Sequence, residues 1–180
     1  MLPSGRHRTL ALTLGAPVFA IVLMSGIATL FGIRINTSYS LPLGLYATTN
    51  EPTAELIEFC PAEPFASESA SRSYRTPGFA CPDGAVPLLK PIVARPGDLV
   101  IVSPDGIVVN GRLLRKTKPA PIDASGRPLK SWPIGLYSVE RDTVWVASTY
   151  NAGSYDSRYM GPIHTSQIRR RLRPLWLLRG

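Results

Sequence analysis

The longest apolar run in the chain lies close to its first residue, and shorter apolar runs follow it. Residues 9 to 33 (TLALTLGAPVFAIVLMSGIATLFGI) contain no ionisable side chain. As an α-helix rising about 1.5 Å per residue, this run would be roughly 37 Å long, which is enough to cross a bilayer. Pro17 is tolerated in such helices, because neighbouring groups can replace the lost backbone hydrogen bond. The pattern predicts a transmembrane anchor over residues 9 to 33.

The charges in front of this run predict its orientation. Arg6 and Arg8 precede it, and the positive-inside rule places such a flank in the cytoplasm. We therefore expect residues 1 to 8 to be cytoplasmic and residues 34 to 180 to lie on the far side of the membrane. A cleaved signal peptide is the alternative, but the apolar cores of signal peptides usually span only about 7 to 15 residues.

Beyond the anchor, short apolar and β-branched runs alternate with turn signals. Two turns, at Pro104-Asp105-Gly106 and at Asn110-Gly111, interrupt the first of these runs. No 3.6-residue periodicity is visible outside the anchor. The sequence predicts a mainly β domain. The clearest predicted strands lie in LVIVSPDGIVVNGRLL (99 to 114), GLYSVE (135 to 140) and TVWVAST (143 to 149).

Two segments do not fit this pattern. Prolines and a glycine between residues 115 and 134 predict a long irregular excursion. The segment SQIRRRLRPLWLLRG (166 to 180) is basic with apolar neighbours. It is interpreted either as a solvated edge that closes against the sheet or as a contact with a membrane surface or nucleic acid.

Charge alone leaves the class of partner open. Lys and Arg outnumber Asp and Glu by 20 to 12, which is compatible with nucleic acid, an anionic membrane or an exported basic protein. The predicted topology places the arginine-rich tail outside the cytoplasm. We therefore expect no nucleic acid partner.

Cys60 and Cys81 are the only cysteines, and both lie on the side predicted to be exported. An oxidising compartment favours a disulfide between them, which would staple an insertion over about residues 60 to 81. Two free thiols or a metal pair are the alternatives. No histidine lies near the two cysteines, so a metal site is unfavourable. We expect no metal and no cofactor.

The stretch NTSYSLPLGLY (36 to 46) places several hydroxyl groups just after the anchor, and Ser40 is a candidate nucleophile. His7 lies on the wrong side of the membrane and His164 has no acidic partner motif, so the histidines do not favour a Ser-His-Asp triad. A neutral lysine can serve instead, because burial lowers the pKa of its amine.

Lys90 has the most apolar setting of the lysines, within VPLLKPIVARPGDLV (86 to 100). Its alternative interpretation is a strand lysine whose stem reaches the surface. The remaining lysines lie in the proline-rich excursion, where we expect solvation to keep the amine near its ordinary pKa. They are Lys116, Lys118 and Lys130.

Three motifs occur in a fixed order: NTSYSLPLGLY, then an apolar-flanked lysine followed by RPGD, then SYDSRYMGPI. Together they resemble the signal peptidase I superfamily of Ser-Lys proteases, and in particular its TraF branch of conjugative-transfer peptidases. In that branch the proline follows the nucleophile by two positions, as Pro42 follows Ser40. The resemblance runs from the anchor to about residue 175. It implies a signal-peptidase-like antiparallel β domain with an N-terminal transmembrane helix.

The resemblance also implies roles for individual residues. Ser40 is similar to the nucleophile and Lys90 to the general base. Ser38 matches a serine whose hydroxyl joins the Ser40 N–H in an oxyanion hole.

Supporting roles are implied for the last motif and for the turn after Lys90. Ser154 matches a residue that orients the lysine amine, and Asp156 with Arg158 resembles a structural ion pair beneath the site. The segment differs from the glycine-aspartate-asparagine form of housekeeping signal peptidases, which leaves the partner of Lys90 open. Gly97, in the turn from residues 95 to 98, is expected to need a positive φ.

The function implied is that of a membrane-anchored serine endopeptidase. It would lie in a bacterial inner membrane with a periplasmic catalytic domain, and would process, and cyclise, the propilin of a conjugative transfer system. Its partners would be that propilin or another exported precursor, the inner membrane and other proteins of the transfer apparatus. The alternatives are a general signal peptidase and a non-catalytic, membrane-anchored assembly factor.

Overall fold

Antiparallel strands are the main regular elements of the computed structural model, which describes residues 32 to 178. The first five strands are β1 (Ile33–Asn36), β2 (Gly44–Thr49), β3 (Leu56–Phe59), β4 (Leu88–Ala94) and β5 (Leu99–Ser103). The other six are β6 (Gly106–Val109), β7 (Arg112–Leu113), β8 (Gly135–Ser138), β9 (Thr143–Val146), β10 (Ile163–His164) and β11 (Ile168–Leu177). Two short helices, α1 (Phe65–Ser71) and α2 (Ser157–Met160), and a 3-10 turn (Thr165–Gln167) complete the described part.

The strands form two sheets. The larger has the order β1-β2-β11-β3-β4-β9-β10, and the smaller has the order β7-β6-β5-β8. Neighbouring strands pair antiparallel throughout. The expectation of a mainly β, antiparallel domain is therefore confirmed.

The smaller sheet contains the strands that the turn signals predict. β5 and β6 form a hairpin across Pro104-Asp105, and β7 returns against β6 after Asn110-Gly111. Asn110 and Gly111 have φ of 49° and 81°, as expected for a tight turn whose twist matches the flanking strands. Gly97 has a φ of 93°, so its predicted positive φ is confirmed.

Strand β9 joins two hydrophobic cores because its successive side chains point to opposite faces. Val144 and Val146 pack in one core with Ile57 of β3. Trp145 packs in the other core with Val100 of β5. Each of these five side chains is at most 3% exposed, so the alternation along one short strand fixes how the two sheets meet.

The segment between the cysteines is held at several points. Cys60 and Cys81 form the expected disulfide. Arg75 is buried inside the segment, where its guanidinium pairs with Asp83 and donates to the hydroxyl of Ser69 over 2.8 Å. A buried guanidinium requires such partners, because an unpaired one would lose its hydration without compensation.

The excursion over residues 115 to 134 contains no strand of the two sheets, as predicted. Backbone contacts fasten it to α2 instead. The Trp132 N–H donates to the Arg158 carbonyl over 2.7 Å, and the Ala120 N–H donates to the Tyr159 hydroxyl over 2.9 Å. The excursion therefore covers α2 although it has no regular structure of its own.

The structure corrects three sequence expectations. The basic C-terminal segment forms β11, which lies between β2 and β3 and is not an edge. It can occupy this inner position because Leu172 is buried while arginines such as Arg169 and Arg173 remain exposed. Helix α1 lies where no periodicity was visible, since seven residues make only two turns. Ile33, predicted as the last anchor residue, begins β1.

The predicted anchor otherwise lies outside the described residues. Within residues 32 to 178, no helix is long and apolar enough to cross a membrane. The anchor therefore stays a prediction.

Reduction of the disulfide is expected to lower the thermal stability of the purified protein. Closure of a ring of this size contributes on the order of 3 kcal/mol through the entropy of the unfolded chain, equivalent to roughly 6 to 12 °C in Tm. The Tm should be measured with and without reductant, with a Cys60→Ser and Cys81→Ser double variant as a reductant-insensitive control. A Tm that does not change when reductant is added, together with two cysteines that can be alkylated without reductant, would contradict the pairing.

Candidate active site

The connection between β1 and β2 contains Ser40, and Asn36 organises it from within. The Asn36 side-chain amide donates to the carbonyls of Ser38, Leu41 and Pro42 over 3.0, 3.4 and 3.1 Å. Its side-chain oxygen accepts from the Ser38 N–H over 3.1 Å. The Tyr46 hydroxyl also donates to the Pro42 carbonyl over 2.7 Å. Five contacts from two buried side chains thus fix the loop.

Lys90 lies in the middle of β4 and points at this loop. Its Nζ donates to the Ser40 Oγ over 2.6 Å. The Lys90 side chain sits on an inner strand opposite Ile57 of β3, and the residue is only 3% exposed. The structure thus contradicts the alternative interpretation of Lys90 as a surface lysine.

Burial changes the acidity of this amine. Loss of hydration lowers the pKa of Lys90 to about 8, because an apolar setting disfavours the ammonium form. The charge of Asp156 raises this pKa, while the charge of Arg158 lowers it. A pKa of this size leaves about a tenth of the lysine neutral at pH 7, so an unprotonated amine is available beside Ser40.

Asp156 and Arg158 form the predicted ion pair. The Arg158 Nε and Nη2 donate to the two carboxylate oxygens of Asp156 over 2.8 Å each. Both side chains are fully buried. Burial alone would lower the pKa of Arg158, but its hydrogen bonds and charge interaction with Asp156 raise it. The Arg158 guanidinium therefore stays charged in this buried position.

Arg158 has a second set of partners. Its Nη1 donates to the carbonyls of Lys116 and Ala152 over 2.9 and 2.7 Å. The ion pair beneath the site thereby also holds the beginning of the excursion and the loop that leads to Ser154.

The hydroxyls of two predicted site residues, Ser154 and Ser38, differ in their hydrogen bonding. Ser154 is 2% exposed, and its hydroxyl has no hydrogen-bond partner within residues 32 to 178. Its role in orienting Lys90 stays a prediction. The Ser38 hydroxyl accepts from the Ser40 N–H over 3.3 Å. The two groups expected to form an oxyanion hole are thus neighbours, and a substrate oxygen would replace the Ser38 Oγ as the acceptor.

Sequence reasoning missed Ser148, just after β9. Its hydroxyl donates to the Ser40 carbonyl over 2.6 Å and accepts from the N–H groups of Tyr150 and Asn151. The Ser148 N–H donates to an Asp156 carboxylate oxygen over 3.0 Å. Asn36 was missed as well. The spacing of charged and apolar residues in the sequence does not mark either residue.

A cleft of about 510 Å³ borders Ser40 and Lys90. Three tyrosines line part of it, and their rings contact one another: the Tyr74 and Tyr155 centroids are 4.9 Å apart, and those of Tyr155 and Tyr159 are 5.6 Å apart. The Tyr155 hydroxyl donates to Glu68 of α1 over 2.6 Å. Burial and Glu68 raise the pKa of Tyr155, which keeps this hydroxyl neutral in the wall of the cleft.

A second cavity of about 560 Å³ contains neither Ser40 nor Lys90. It is lined by three arginines, by Glu58, and by apolar side chains of β1, β11 and the segment from 79 to 87. The chemistry described above therefore belongs to the smaller cleft.

The described residues offer no competing arrangement. His164 is exposed, and its ring pairs with the hydroxyl of Ser166, two residues away. No group of three or more His, Cys, Asp or Glu side chains between residues 32 and 178 could hold a metal ion. Within this part of the chain, Lys90 is the basic side chain that contacts a candidate nucleophile.

Comparison with known proteins adds independent information. Residues 7 to 176 match the model of a family described as signal peptidase, peptidase S26. The chain is 36% identical over 165 residues to an Escherichia coli plasmid transfer protein TraF, covering 86% of this chain and 92% of that protein.

Two further relatives and one solved structure are similar. A probable conjugal transfer protein TraF of Sinorhizobium fredii is 36% identical, with 93% of this chain and 90% of that protein covered. A conjugal transfer protein TraF of Agrobacterium tumefaciens is 33% identical, with coverages of 95% and 97%. A signal peptidase I crystal structure from Enterococcus faecalis aligns at 16% identity with a TM-score of 0.38, over 70% of this chain and 100% of that chain.

The family match extends over nearly the whole chain, and the TraF relatives are covered almost from end to end. These findings agree with a lysine amine bonded to a serine hydroxyl in a cleft. The chain belongs to the peptidase S26 family of signal peptidases, and its relatives in that family include plasmid and conjugal transfer proteins named TraF.

Proposed function

We propose that this protein is a membrane-anchored serine endopeptidase that uses Ser40 as nucleophile and Lys90 as general base. The 2.6 Å separation between Lys90 Nζ and Ser40 Oγ carries this assignment. The same separation suits the reactive state, in which the neutral amine accepts the hydroxyl proton. The lowered pKa of Lys90 supplies that neutral amine.

The first half of the reaction forms an ester. Lys90 Nζ takes the Ser40 proton as Ser40 Oγ attacks the scissile carbonyl carbon. The resulting oxyanion accepts from the Ser40 N–H and the Ser38 hydroxyl, and one preorganised donor of this kind contributes about 2.7 to 4 kcal/mol in comparable hydrolases. The Lys90 ammonium then protonates the leaving amine, the C–N bond breaks, and the acyl group remains on Ser40.

The second half releases the product. Water or an amine attacks the ester carbonyl, Lys90 takes a proton from the attacking group, and the Ser40 oxygen regains its proton as it leaves. Attack by water gives a linear product. Attack by the N-terminal amine of the same substrate gives a circular product, with identical roles for Ser40 and Lys90.

The proposed substrate is the propilin of a conjugative transfer system, which is cleaved and cyclised. The similarity to proteins named as conjugal transfer proteins supports this choice. We further propose that the apolar run that begins at residue 9 and ends before β1 anchors the protein in the inner membrane, with residues 1 to 8 in the cytoplasm and the peptidase domain in the periplasm. A substrate still attached to the membrane would then meet the cleft on the periplasmic side.

Removal of either reacting group is expected to abolish processing without unfolding the domain. Ser40→Ala and Lys90→Met should each lower kcat/KM by at least about 10³-fold, because a nucleophile and its base act as a unit. Ser125→Ala and Lys130→Met are matched controls, since both residues are exposed in the excursion. Rates and Tm values should be measured together. An unchanged kcat/KM in either dyad variant would contradict the role assigned to that residue, whereas the absence of processing by the wild-type protein would point to a non-catalytic assembly factor.

The rate of processing is expected to rise with pH. Because burial lowers the pKa of Lys90 to about 8, the active neutral form is scarce below that pH and predominant above it. The value of kcat/KM should increase about tenfold per pH unit on the acid side and level off above the midpoint. Lys130→Met should give the same profile. A flat profile across this range would exclude Lys90 as the base.

The fate of the acyl-enzyme can be determined by intact mass. The full-length protein in detergent and its Ser40→Ala variant should each be incubated with the propilin from the same genetic element. The expected Ser40-dependent product is lighter by one water than the linear cleaved chain, because an internal peptide bond replaces hydrolysis. A linear product would indicate a general signal peptidase. No Ser40-dependent product would contradict peptidase activity on this substrate.

A further inference from the structure

Ser148 is a buried hydroxyl that the dyad chemistry does not use. It lies 108 positions along the chain from Ser40, yet its hydroxyl donates to the Ser40 carbonyl over 2.6 Å. Ser148 is fully buried. A hydroxyl has one proton to donate, and Ser148 donates it to the backbone carbonyl of Ser40.

The same hydroxyl is anchored from the other side. Its oxygen accepts from the N–H of Tyr150 over 3.1 Å and from the N–H of Asn151 over 3.0 Å. With one donated and two accepted bonds, the hydroxyl is fully satisfied and has no freedom to rotate. Its position relative to Ser40 is therefore fixed by the loop that follows β9.

The backbone of Ser148 extends this connection to the ion pair. Its N–H donates to an Asp156 carboxylate oxygen over 3.0 Å, and Arg158 grips both oxygens of that carboxylate. The charge of Asp156 acts on Lys90. One residue therefore contacts the backbone of the nucleophile and the acid beneath its base.

The carbonyl that Ser148 holds determines the geometry of the nucleophile. Asn36 fixes the loop on one side of Ser40, through Ser38, and on the other side, through Leu41 and Pro42. It makes no hydrogen bond to Ser40 itself. The Ser148 hydroxyl is the side-chain group among residues 32 to 178 that hydrogen-bonds to the Ser40 carbonyl, and a restrained carbonyl limits the orientations open to the rest of the Ser40 residue.

We propose that Ser148 is a positioning residue, which holds the Ser40 carbonyl so that the Ser40 hydroxyl faces the Lys90 amine and the scissile bond. This role rests on the proposed function of Ser40 as nucleophile. A displacement of about 1 Å at a reacting atom can lower a rate by roughly 100-fold. The effect therefore acts on kcat, while substrate binding and the acidity of Lys90 are left in place.

Ser157 provides a matched control. It is also fully buried, and its hydroxyl oxygen accepts from the Val146 N–H over 2.9 Å. It makes no hydrogen bond to Ser40. Ser157→Ala therefore removes an equally buried hydroxyl from the same part of the fold without touching the nucleophile.

The first test compares Ser148→Ala with Ser157→Ala in the full-length protein, with propilin as substrate. Ser148→Ala should lower kcat roughly 10- to 100-fold relative to the control. KM and the pH midpoint should be unchanged, because the Ser148 N–H still reaches Asp156. A kcat equal to that of Ser157→Ala, or a loss explained by a shifted pH midpoint, would overturn the role.

A second measurement is independent of catalysis. The Ser40-Leu41 pair is the only Ser-Leu dipeptide in the chain, so carbonyl-¹³C serine combined with ¹⁵N leucine gives one HNCO resonance, which reports the Ser40 carbonyl. Ser148→Ala should shift this resonance and Ser157→Ala should not. An unshifted resonance would show that the hydrogen bond does not form, whatever the activity.

The two measurements also separate the failure of this role from the failure of the proposed function. If Ser40→Ala remains active, Ser40 is not the nucleophile, and both assignments are wrong. If Ser40→Ala is inactive while Ser148→Ala matches its control, only the positioning role is wrong. Should Ser148→Ala fail to fold, Ser148→Cys replaces it, because the thiol has a similar shape and is a weaker donor. Wild-type kcat in Ser148→Cys would likewise overturn the role.

Discussion

A lysine amine kept away from water is the constraint on which this site depends. Water would hold the Lys90 ammonium in its charged form, and a charged amine cannot accept a proton from Ser40. The fold meets this requirement by placing Lys90 on β4, an inner strand between β3 and β9. Because β4 is paired on both sides, Lys90 is only 3% exposed, while the neighbouring Ser40 borders the cleft.

The proposed nucleophile, Ser40, is held in a different way, because it lies on a loop and not on a strand. Reactive residues often lie on loops, and loops are more mobile than the strands or helices that they connect. Here Asn36 and Ser148 replace sheet hydrogen bonds by binding the carbonyls around Ser40. Regular strand pairing thus places Lys90, and side chains that hydrogen-bond to the surrounding backbone place Ser40.

From the sequence we could predict residues that their immediate neighbours mark, but not residues whose role depends on the folded structure. Ser40 and Lys90 could be found because a proline two positions away and an apolar flank mark their surroundings. The hairpins at Asp105 and Asn110 could be found because turn residues act on their nearest neighbours. Ser148 could not, since the carbonyl that it binds lies 108 positions away. Asn36 could not either, because its contacts, although two to six positions away, exist only once the loop has folded around it. The inner position of β11 was missed for a related reason: its arginines indicated solvent, and only pairing with β2 and β3 shows that both of its edges are occupied.

The place of β11 in the large sheet also has a consequence for the order in which the protein becomes active. The β1-β2 unit carries Ser40 on its connecting loop. Among residues 32 to 178, its strands pair with the rest of the large sheet only through β11, the last strand of this described part. Contacts between distant parts of a chain form late, because they require closure of long loops. During synthesis, a chain that already contains Ser40, Lys90 and the Asp156-Arg158 pair still lacks β11, which joins the β1-β2 unit to β3. The large sheet that brings the loop of Ser40 beside Lys90 can therefore be completed only after the ten residues of β11 have been synthesised.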